Sequence, residues 1–235
     1  MSWWTSASDL LFPRVCSICG TRLIGCEKHL CAACTLSLPY TSFKGVAGNP
    51  IERMFWGKLP LVHASAYLYY HVGASSRNIL FDLKYNNRPA VGYAMGQAMA
   101  IELKQTHFFD GIDVILPIPL AKSRLRHRGY NQDDWIANGI ASITGIKVER
   151  NAVIRTKSNQ TQTHLTHLER MENVEGIFEV KQPASLSGKH ILLLDDVVTT
   201  GSTLASCGKE IAKLEGVRIS VLALAASVHV GRKIM

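Results

Sequence analysis

The chain has 235 residues, of which 47% are hydrophobic and 19% charged, and this composition excludes a largely disordered protein. Its formal net charge of +8 favours anionic partners such as phosphates or nucleic acid, without choosing between them. No apolar run reaches the roughly 20 residues that a membrane-spanning helix needs, and the first residues lack the basic region of a signal peptide. We therefore expect a cytoplasmic, reducing location.

Two Cys-x-x-Cys pairs lie near the amino end, with eleven residues between them. In a reducing compartment this spacing predicts a structural zinc site, because four thiolates can surround Zn²⁺ tetrahedrally. Cys26 and His29 lie in the intervening loop, and either could replace one of the four. Two disulfides or free thiols are the alternatives. The predicted zinc ligands are Cys16, Cys19, Cys31 and Cys34.

Glycine and proline positions divide the chain into three predicted regions. Residues 1–45 are expected to form the zinc-binding module, residues 46–61 a connection, and residues 62–235 one α/β domain.

Strands and helices alternate along this third region. Residues 62–72 have a period of two and predict a strand or hairpin, whereas 74–84 and 89–104 have helical spacing. Further strands are predicted at 113–118, 152–155, 176–180, 190–194 and 217–226, and further helices at 130–142 and 204–214. Continuous apolar strands in such an alternation indicate a mostly parallel central sheet with helices on both faces.

The strand at 190–194 leads into two adjacent acids, Asp195 and Asp196, and then into small and hydroxylated residues. Open parallel sheets bind ligands at the carboxyl ends of their strands. The backbone N–H groups of residues 199–203 can converge on a phosphate, and Gly201 lets the main chain approach closely. The carboxylates would repel a phosphate, so they suit sugar hydroxyls or Mg²⁺. The segment therefore predicts a sugar-phosphate site.

Two other interpretations of this segment are weaker. A Walker B strand also ends in acids, but the chain has no G-x-x-x-x-G-K-[ST] loop, which disfavours a P-loop NTPase. A simple capped strand-to-helix turn leaves the two adjacent acids unexplained.

A basic segment follows the strand at 113–118. A period of two would place its cations on one side of an extended segment. Two other interpretations are a solvated basic loop and a contact for the phosphate backbone of nucleic acid. The cations are Lys122, Arg124, Arg126 and Arg128. The polar residues 156–167 predict a lid over the site, and Gln162 and Arg170 are its candidate contacts.

Residues 191–203 resemble the phosphoribosyl diphosphate signature of type I phosphoribosyltransferases, and the whole chain resembles the ComF family. The motifs that carry the resemblance occur in order along almost the full length. After the cysteine pairs they are Leu83-Lys84-Tyr85 with Arg88, Pro117-Ile-Pro-Leu120, Arg128-Gly-Tyr-Asn-Gln132, Gln162-Thr163, Glu169-Arg170, Asn173-Val174 and Asp195-Asp-Val-Val-Thr-Thr-Gly201.

The resemblance implies a type I phosphoribosyltransferase fold with a small zinc-ribbon-like module. It implies that the catalytic acids Asp195 and Asp196 hold the ribose hydroxyls, that the four cations form a pyrophosphate loop, and that Mg²⁺ accompanies phosphoribosyl diphosphate. The implied phosphoribosyl-binding residues are Val198, Thr199, Thr200, Gly201, Ser202 and Thr203.

Two functions follow as hypotheses. The first is a phosphoribosyltransferase whose acceptor is unknown and for which the sequence offers no clear general base. The second is a non-catalytic protein of the competence machinery that binds single-stranded DNA during DNA uptake, with a competence helicase as a further partner.

Overall fold

Seven strands occur in the computed structural model, which describes residues 14–71, 73–156 and 176–227. They are β1 (Leu61–Tyr70), β2 (Val114–Pro117), β3 (Lys147–Val148), β4 (Val153–Arg155), β5 (Phe178–Val180), β6 (His190–Val198) and β7 (Arg218–Ser227). Five of them form one sheet in the order β1–β7–β6–β2–β3, and every pairing in that sheet is parallel. β4 and β5 form a separate antiparallel pair.

Helices cover both faces of the central sheet. They are α1 (Ala32–Leu36), α2 (Pro50–Phe55), α3 (Ser75–Tyr85), α4 (Pro89–Lys104), α5 (Lys122–Arg128), α6 (Gln132–Thr144) and α7 (Ser202–Ile211). Apolar residues of α2 and α7 pack on one face, and those of α3, α4 and α6 pack on the other. The predicted α/β class is therefore confirmed, although several boundaries differ by a few residues and β3 was not predicted.

The apolar residues of the central strand β6 are continuous because both of its faces are buried. Ile191 and Leu193 enter the core beneath α2 and α7, whereas Leu192 and Leu194 enter the opposite core. All four side chains are fully buried, because successive residues of a strand point to opposite faces. The strand is longer than the predicted 190–194 and continues through Val198, so both acids belong to it.

Two glycines let α4 and α6 approach closely. A Cβ on Gly96 would lie 2.1 Å from the carbonyl oxygen of Ile136, and a Cβ on Gly139 would lie 2.1 Å from that of Tyr93. Any larger residue at either position would force the two backbones apart. The contact fixes the position of α6, whose first turn lies at the candidate site.

The cysteine-containing region joins the edge of the sheet. The backbone N–H of Tyr69 donates to the carbonyl of Pro39 (2.7 Å), and that of Thr41 donates to the carbonyl of Tyr67 (3.0 Å). The boundaries at residues 45 and 61 stay a prediction. The predicted connection contains α2, with Phe55 fully buried in the main core.

Within the part of the chain that the structure describes, no helix combines the length and the hydrophobicity needed to cross a bilayer.

Candidate functional site

The carboxylate of Asp196 lies at the carboxyl end of β6 and is almost completely buried, with 5% of the residue exposed. Its two oxygens are both engaged. The Lys84 ammonium donates to Oδ1 at 2.9 Å, and the side-chain amide of Gln132 donates to Oδ2 at 2.7 Å. A lysine of α3 and a glutamine of α6 therefore hold this carboxylate in one orientation.

Asp195 is less buried and less constrained. Among the described residues it accepts one hydrogen bond, from the backbone N–H of Asp196 (2.9 Å). Burial and then the neighbouring charge of Asp196 raise the pKa of Asp195 to about 7, although Lys84 opposes the shift. Its carboxyl group is therefore able to accept or donate a proton near neutral pH.

Asp133 is a third acid at this place, and sequence reasoning missed it. It lies in the first turn of α6, whose N-cap Asn131 accepts a hydrogen bond from the Asp133 N–H. Acids in a first helical turn usually face solvent and offset the helix dipole, so the position alone gave no signal. Here the residue is 1% exposed, since α6 packs tightly on α4.

The three acids form one cluster. Ligand oxygens of Asp133, Asp195 and Asp196 all lie within 4.8 Å of one another. Burial, followed by the charges of Asp196 and Asp195, raises the pKa of Asp133 well above its usual value. Its Oδ1 atom is buried without a hydrogen-bond partner in the described part of the chain. A proton or a hard cation such as Mg²⁺, which prefers oxygen ligands, fits this set of donors.

The predicted phosphate segment follows directly after β6. Val198 is 1% exposed and part of the core, whereas Thr199 and Thr200 are exposed. The Thr200 hydroxyl lies 3.0 Å from that of Ser202 at the start of α7, and its oxygen also accepts a hydrogen bond from the Ser202 backbone N–H (3.4 Å). Exposed hydroxyls therefore lie next to the N-terminus of α7, and the binding of a phosphate by residues 199–203 stays a prediction.

Gly201 is needed here for a reason that the sequence did not reveal. Its φ of +70° lies in the left-handed region, which favours glycine. A Cβ would lie 2.5 Å from the Met54 sulfur and 3.0 Å from a ring atom of Phe55, both in α2. The absent side chain therefore accommodates α2.

The extended conformation predicted for the basic segment is wrong, because Lys122–Arg128 forms α5. Lysine, arginine and leucine are good helix formers, and Gly129 ends the helix in the left-handed conformation (φ 78°). Residues two apart on a helix point in nearly opposite directions. Lys122 and Arg126 therefore share one side of α5, and Arg124 and Arg128 share the other.

Arg124 and Arg128 line a cavity of about 460 Å³ between α3 and α5. The Arg128 guanidinium lies 5.6 Å from the centre of the Tyr85 ring and donates to the Gln132 side-chain carbonyl (2.8 Å). The other lining residues are Lys84, Tyr85, Ser123 and His127. Neither the three acids nor residues 199–203 line this cavity, and Lys84 is the direct link between it and the acids. The lid candidates Gln162 and Arg170 lie outside the described residues.

The structure brings the four predicted zinc ligands together. The sulfurs of Cys16, Cys19, Cys31 and Cys34 lie within 4.8 Å of one another, and no disulfide joins them. The Cys19 and Cys31 sulfurs are 3.8 Å apart. That distance matches the edge of about 3.8 Å expected for a tetrahedron with Zn–S bonds of about 2.3 Å. The cluster includes neither Cys26 nor His29.

Hydrogen bonds favour the thiolate form at Cys16 and Cys19, whereas burial raises the pKa of Cys34 while no metal ion is bound. The backbone N–H groups of Ile18 and Cys31 donate to the Cys16 sulfur at 3.5 and 3.4 Å. Hydrogen bonds from the Thr21 side chain and backbone lower the pKa of Cys19 to about 6. The cysteine cluster therefore fits a structural zinc ion.

No family model matches the chain, but curated proteins are similar to it over most of its length. DNA utilization protein YhgH of Escherichia coli O6:H1 is 29% identical over 85% of this chain and 83% of its own. Competence protein F of Haemophilus influenzae is 26% identical over 86% of this chain and 88% of its own. Competence protein ComFC of Bacillus subtilis is 36% identical over 39% of this chain and 35% of its own.

Among solved structures, a crystal structure of adenine phosphoribosyltransferase has a TM-score of 0.42 and 15% identity. The match covers 63% of this chain and 76% of that chain.

Proposed function

Because the chain belongs to the ComF family of competence proteins, we propose that it binds phosphoribosyl diphosphate, or a related ribose phosphate, together with Mg²⁺. The observation that carries this proposal is the Lys84–Asp196 ion pair of 2.9 Å, which joins a carboxylate cluster to a cation-lined cavity. Phosphoribosyl diphosphate has two parts that match these two regions. Its ribose hydroxyls suit the carboxylates, and the adjacent diphosphate suits the cations.

Each part of this ligand has a matching part of the protein. Asp195, whose second oxygen is free among the described residues, accepts hydrogen bonds from the ribose hydroxyls. Residues 199–203 and the N-terminus of α7 bind the 5-phosphate. Lys84, Arg124 and Arg128 contact the diphosphate. Asp196 keeps Lys84 and Gln132 in position.

Magnesium fits beside the buried Asp133 oxygen in the carboxylate cluster, where it would offset negative charge. Asp133, Asp195 and Asp196 are the residues that would hold it.

As a transferase the protein would break the bond between the ribosyl C1 carbon and the diphosphate oxygen. The electron pair leaves with the diphosphate, and a nucleophile forms the new bond to C1. The cavity cations stabilise the departing charge, so positioning and electrostatics supply the catalysis. The proton of the nucleophile needs an acceptor, and Asp195, with a pKa of about 7, is one group of the cluster that could take it up. The acceptor stays undefined.

A second function, binding of single-stranded DNA in the cytoplasm during DNA uptake, is favoured by one observation. Tyr85 is 61% exposed beside the cavity, and its ring centre lies 5.1 Å from that of Phe81, which is 50% exposed. Exposed aromatic rings next to cations suit the stacking of unpaired bases. A competence helicase is the further partner that this function implies.

Isothermal calorimetry with phosphoribosyl diphosphate and Mg²⁺ tests the first function. The double variant Asp195→Asn/Asp196→Asn should lose binding, whereas Asp110→Asn, at an acid with a side chain 73% exposed, should bind like the wild type. Unchanged affinity in the double variant would falsify the assignment.

Salt-titrated binding of a short single-stranded oligonucleotide tests the second function. Affinity should fall steeply as salt rises, because each phosphate contact releases counterions. Tyr85→Ala should weaken binding at every salt concentration, and Tyr93→Ala on α4 is the control. Affinity independent of salt, or no binding at low salt, contradicts this function.

A further inference from the structure

The side-chain amide of Gln132 connects the acid cluster to a cation of the basic cavity. Its nitrogen donates to Oδ2 of Asp196 (2.7 Å), and its oxygen accepts from the Arg128 guanidinium (2.8 Å). Gln132 is 3% exposed, so the amide is shielded from water. Both partners are charged, and hydrogen bonds to charged groups are roughly twice as strong as those between neutral groups.

The two partners determine which way round the Gln132 amide lies. In the reverse orientation its oxygen would face the Asp196 carboxylate, and its nitrogen would face the N–H groups of Arg128. Both contacts would then be repulsive, so the observed orientation is the favourable one. An apolar side chain could make neither contact, and a glutamate would repel Asp196. A neutral amide therefore suits a place between a carboxylate and a guanidinium.

The turn between α5 and α6 is held from two sides. The Tyr130 hydroxyl donates to the carbonyl of Leu83 in α3, and the side-chain amide of Asn131 donates to the carbonyl of Ile118, directly after β2 (3.0 Å). The hydrogen-bonded arginine and glutamine are the residues that flank this turn. Their backbones are therefore anchored as well as their side chains.

Arg128 is more restricted than the cation one turn before it in α5. Arg124 is exposed, whereas Arg128 is half-buried. The Arg128 guanidinium lies 5.6 Å from the centre of the Tyr85 ring, which is a second contact beside the hydrogen bond to Gln132. That hydrogen bond uses one terminal nitrogen, Nη1, and a guanidinium has five N–H groups in all. Further donors remain for an anion in the cavity that Arg128 lines.

We propose that Gln132 is a positioning residue for the diphosphate of the ligand, because it holds the Arg128 guanidinium in a fixed orientation relative to Asp196. This inference rests on the proposed function and adds a link between its two parts. A cation that is already in place loses less conformational freedom when the ligand binds. Ribose 5-phosphate lacks the diphosphate, and Lys84 orients Asp196 even without Gln132. The effect of Gln132 is therefore expected on phosphoribosyl diphosphate alone.

Calorimetry with phosphoribosyl diphosphate and with ribose 5-phosphate, both with Mg²⁺, tests this role on the full chain. Gln132→Met keeps the size of the side chain without its hydrogen bonds, and it should raise the dissociation constant for phosphoribosyl diphosphate by about five- to tenfold. Its effect on ribose 5-phosphate should stay below about twofold. Gln97→Met is the matched control and should bind like the wild type, since the Gln97 amide donates to Ser142 near the other end of α6 (3.2 Å).

A double-mutant cycle separates positioning from a purely structural role. Arg128→Met alone should weaken the binding of phosphoribosyl diphosphate at least as much as Gln132→Met does. Adding Gln132→Met to Arg128→Met should then weaken it by less than about a further twofold. A residue that only supports the fold would weaken binding by the same factor in both backgrounds. Gln132→Asn has an amide too short to reach both partners, so it should reproduce the loss and replaces Gln132→Met if that variant does not fold.

Wild-type affinity for phosphoribosyl diphosphate in Gln132→Met or Gln132→Asn overturns the inference while leaving the proposed function standing. So does an equal loss for both ligands, or a loss that adds fully to that of Arg128→Met. If the wild type binds no phosphoribosyl diphosphate, the proposed function fails, and inorganic diphosphate then tests the positioning alone. Wild-type binding of inorganic diphosphate that Gln132→Met and Arg128→Met both weaken supports the inference, and no binding by the wild type overturns it.

Discussion

The ammonium of Lys84 lies 2.9 Å from the Asp196 carboxylate, and the same lysine lines the cavity that Arg124 and Arg128 share. One side chain of α3 thereby belongs both to an acidic cluster and to a basic surface. Removing it should affect stability and ligand binding together.

Lys84→Met should lower the free energy of unfolding by about 1–3 kcal/mol, because it leaves a buried carboxylate with only Gln132 as a side-chain partner. Urea denaturation measures the change. Lys181→Met is the control, since Lys181 and Glu179 form an ion pair with both side chains about half exposed. That variant should change stability by less than about 0.5 kcal/mol. Equal effects of the two substitutions would contradict the buried pair.

The acid cluster should make stability depend on pH between about 4 and 7. Asp195 has a pKa of about 7 in the folded protein and an ordinary value of 3.8, so in this window the native state keeps a proton that the unfolded state has lost. Stability therefore falls as pH rises, by at most about 1.4 kcal/mol per unit for this residue. Above this window the contribution is constant.

Melting temperatures measured from pH 4.5 to 8 check this behaviour. Asp195→Asn should flatten the slope, since asparagine does not titrate, and it should stabilise the protein at pH 8 relative to the wild type. Asp110→Asn should keep the wild-type slope, because its side chain is 73% exposed. A slope that Asp195→Asn leaves intact would assign the titration to other groups.

Gly201→Ala should destabilise the protein by about 2–4 kcal/mol, since it combines left-handed backbone strain with a clash against α2. Gly57→Ala separates the two causes. Gly57 has the same φ of +70° but open space around its Cβ position, so only the strain of about 1 kcal/mol applies. Chemical denaturation of both variants gives the difference, and equal losses would mean that the contact with Met54 and Phe55 is unimportant.

The purified protein should contain about one equivalent of zinc, bound by four thiolates. Cys34→Ser should lose the metal and lower the melting temperature, whereas Cys26→Ser should keep both at the wild-type values. Elemental analysis of protein prepared without chelator provides the measurement. Less than half an equivalent of zinc in the wild type would contradict the predicted four-thiolate site.

The sequence was sufficient for features that depend on local patterns. The continuous apolar residues predicted β6. The spacing of the cysteines predicted which four of them lie together in the structure. It was insufficient for Asp133, whose burial depends on the contact between Gly96 and Gly139 of helices far apart in the chain.

The basic segment shows a different limit. Alternating cations fit an extended segment and a solvent-exposed helix equally well, because a charged side chain need not be buried in either. Only the fold determined that Arg124 and Arg128 face the cavity while Lys122 and Arg126 do not.

The hydrogen bonds from residues 39–41 to β1 have a consequence for self-association. β1 is an outer strand of the sheet, and such a strand invites pairing with another molecule when its backbone groups are left open. The residues that cover it follow directly after the cysteine cluster. A chain stripped of its metal would loosen this cover and become prone to aggregate, so the zinc ion would protect the protein's solubility from a distance.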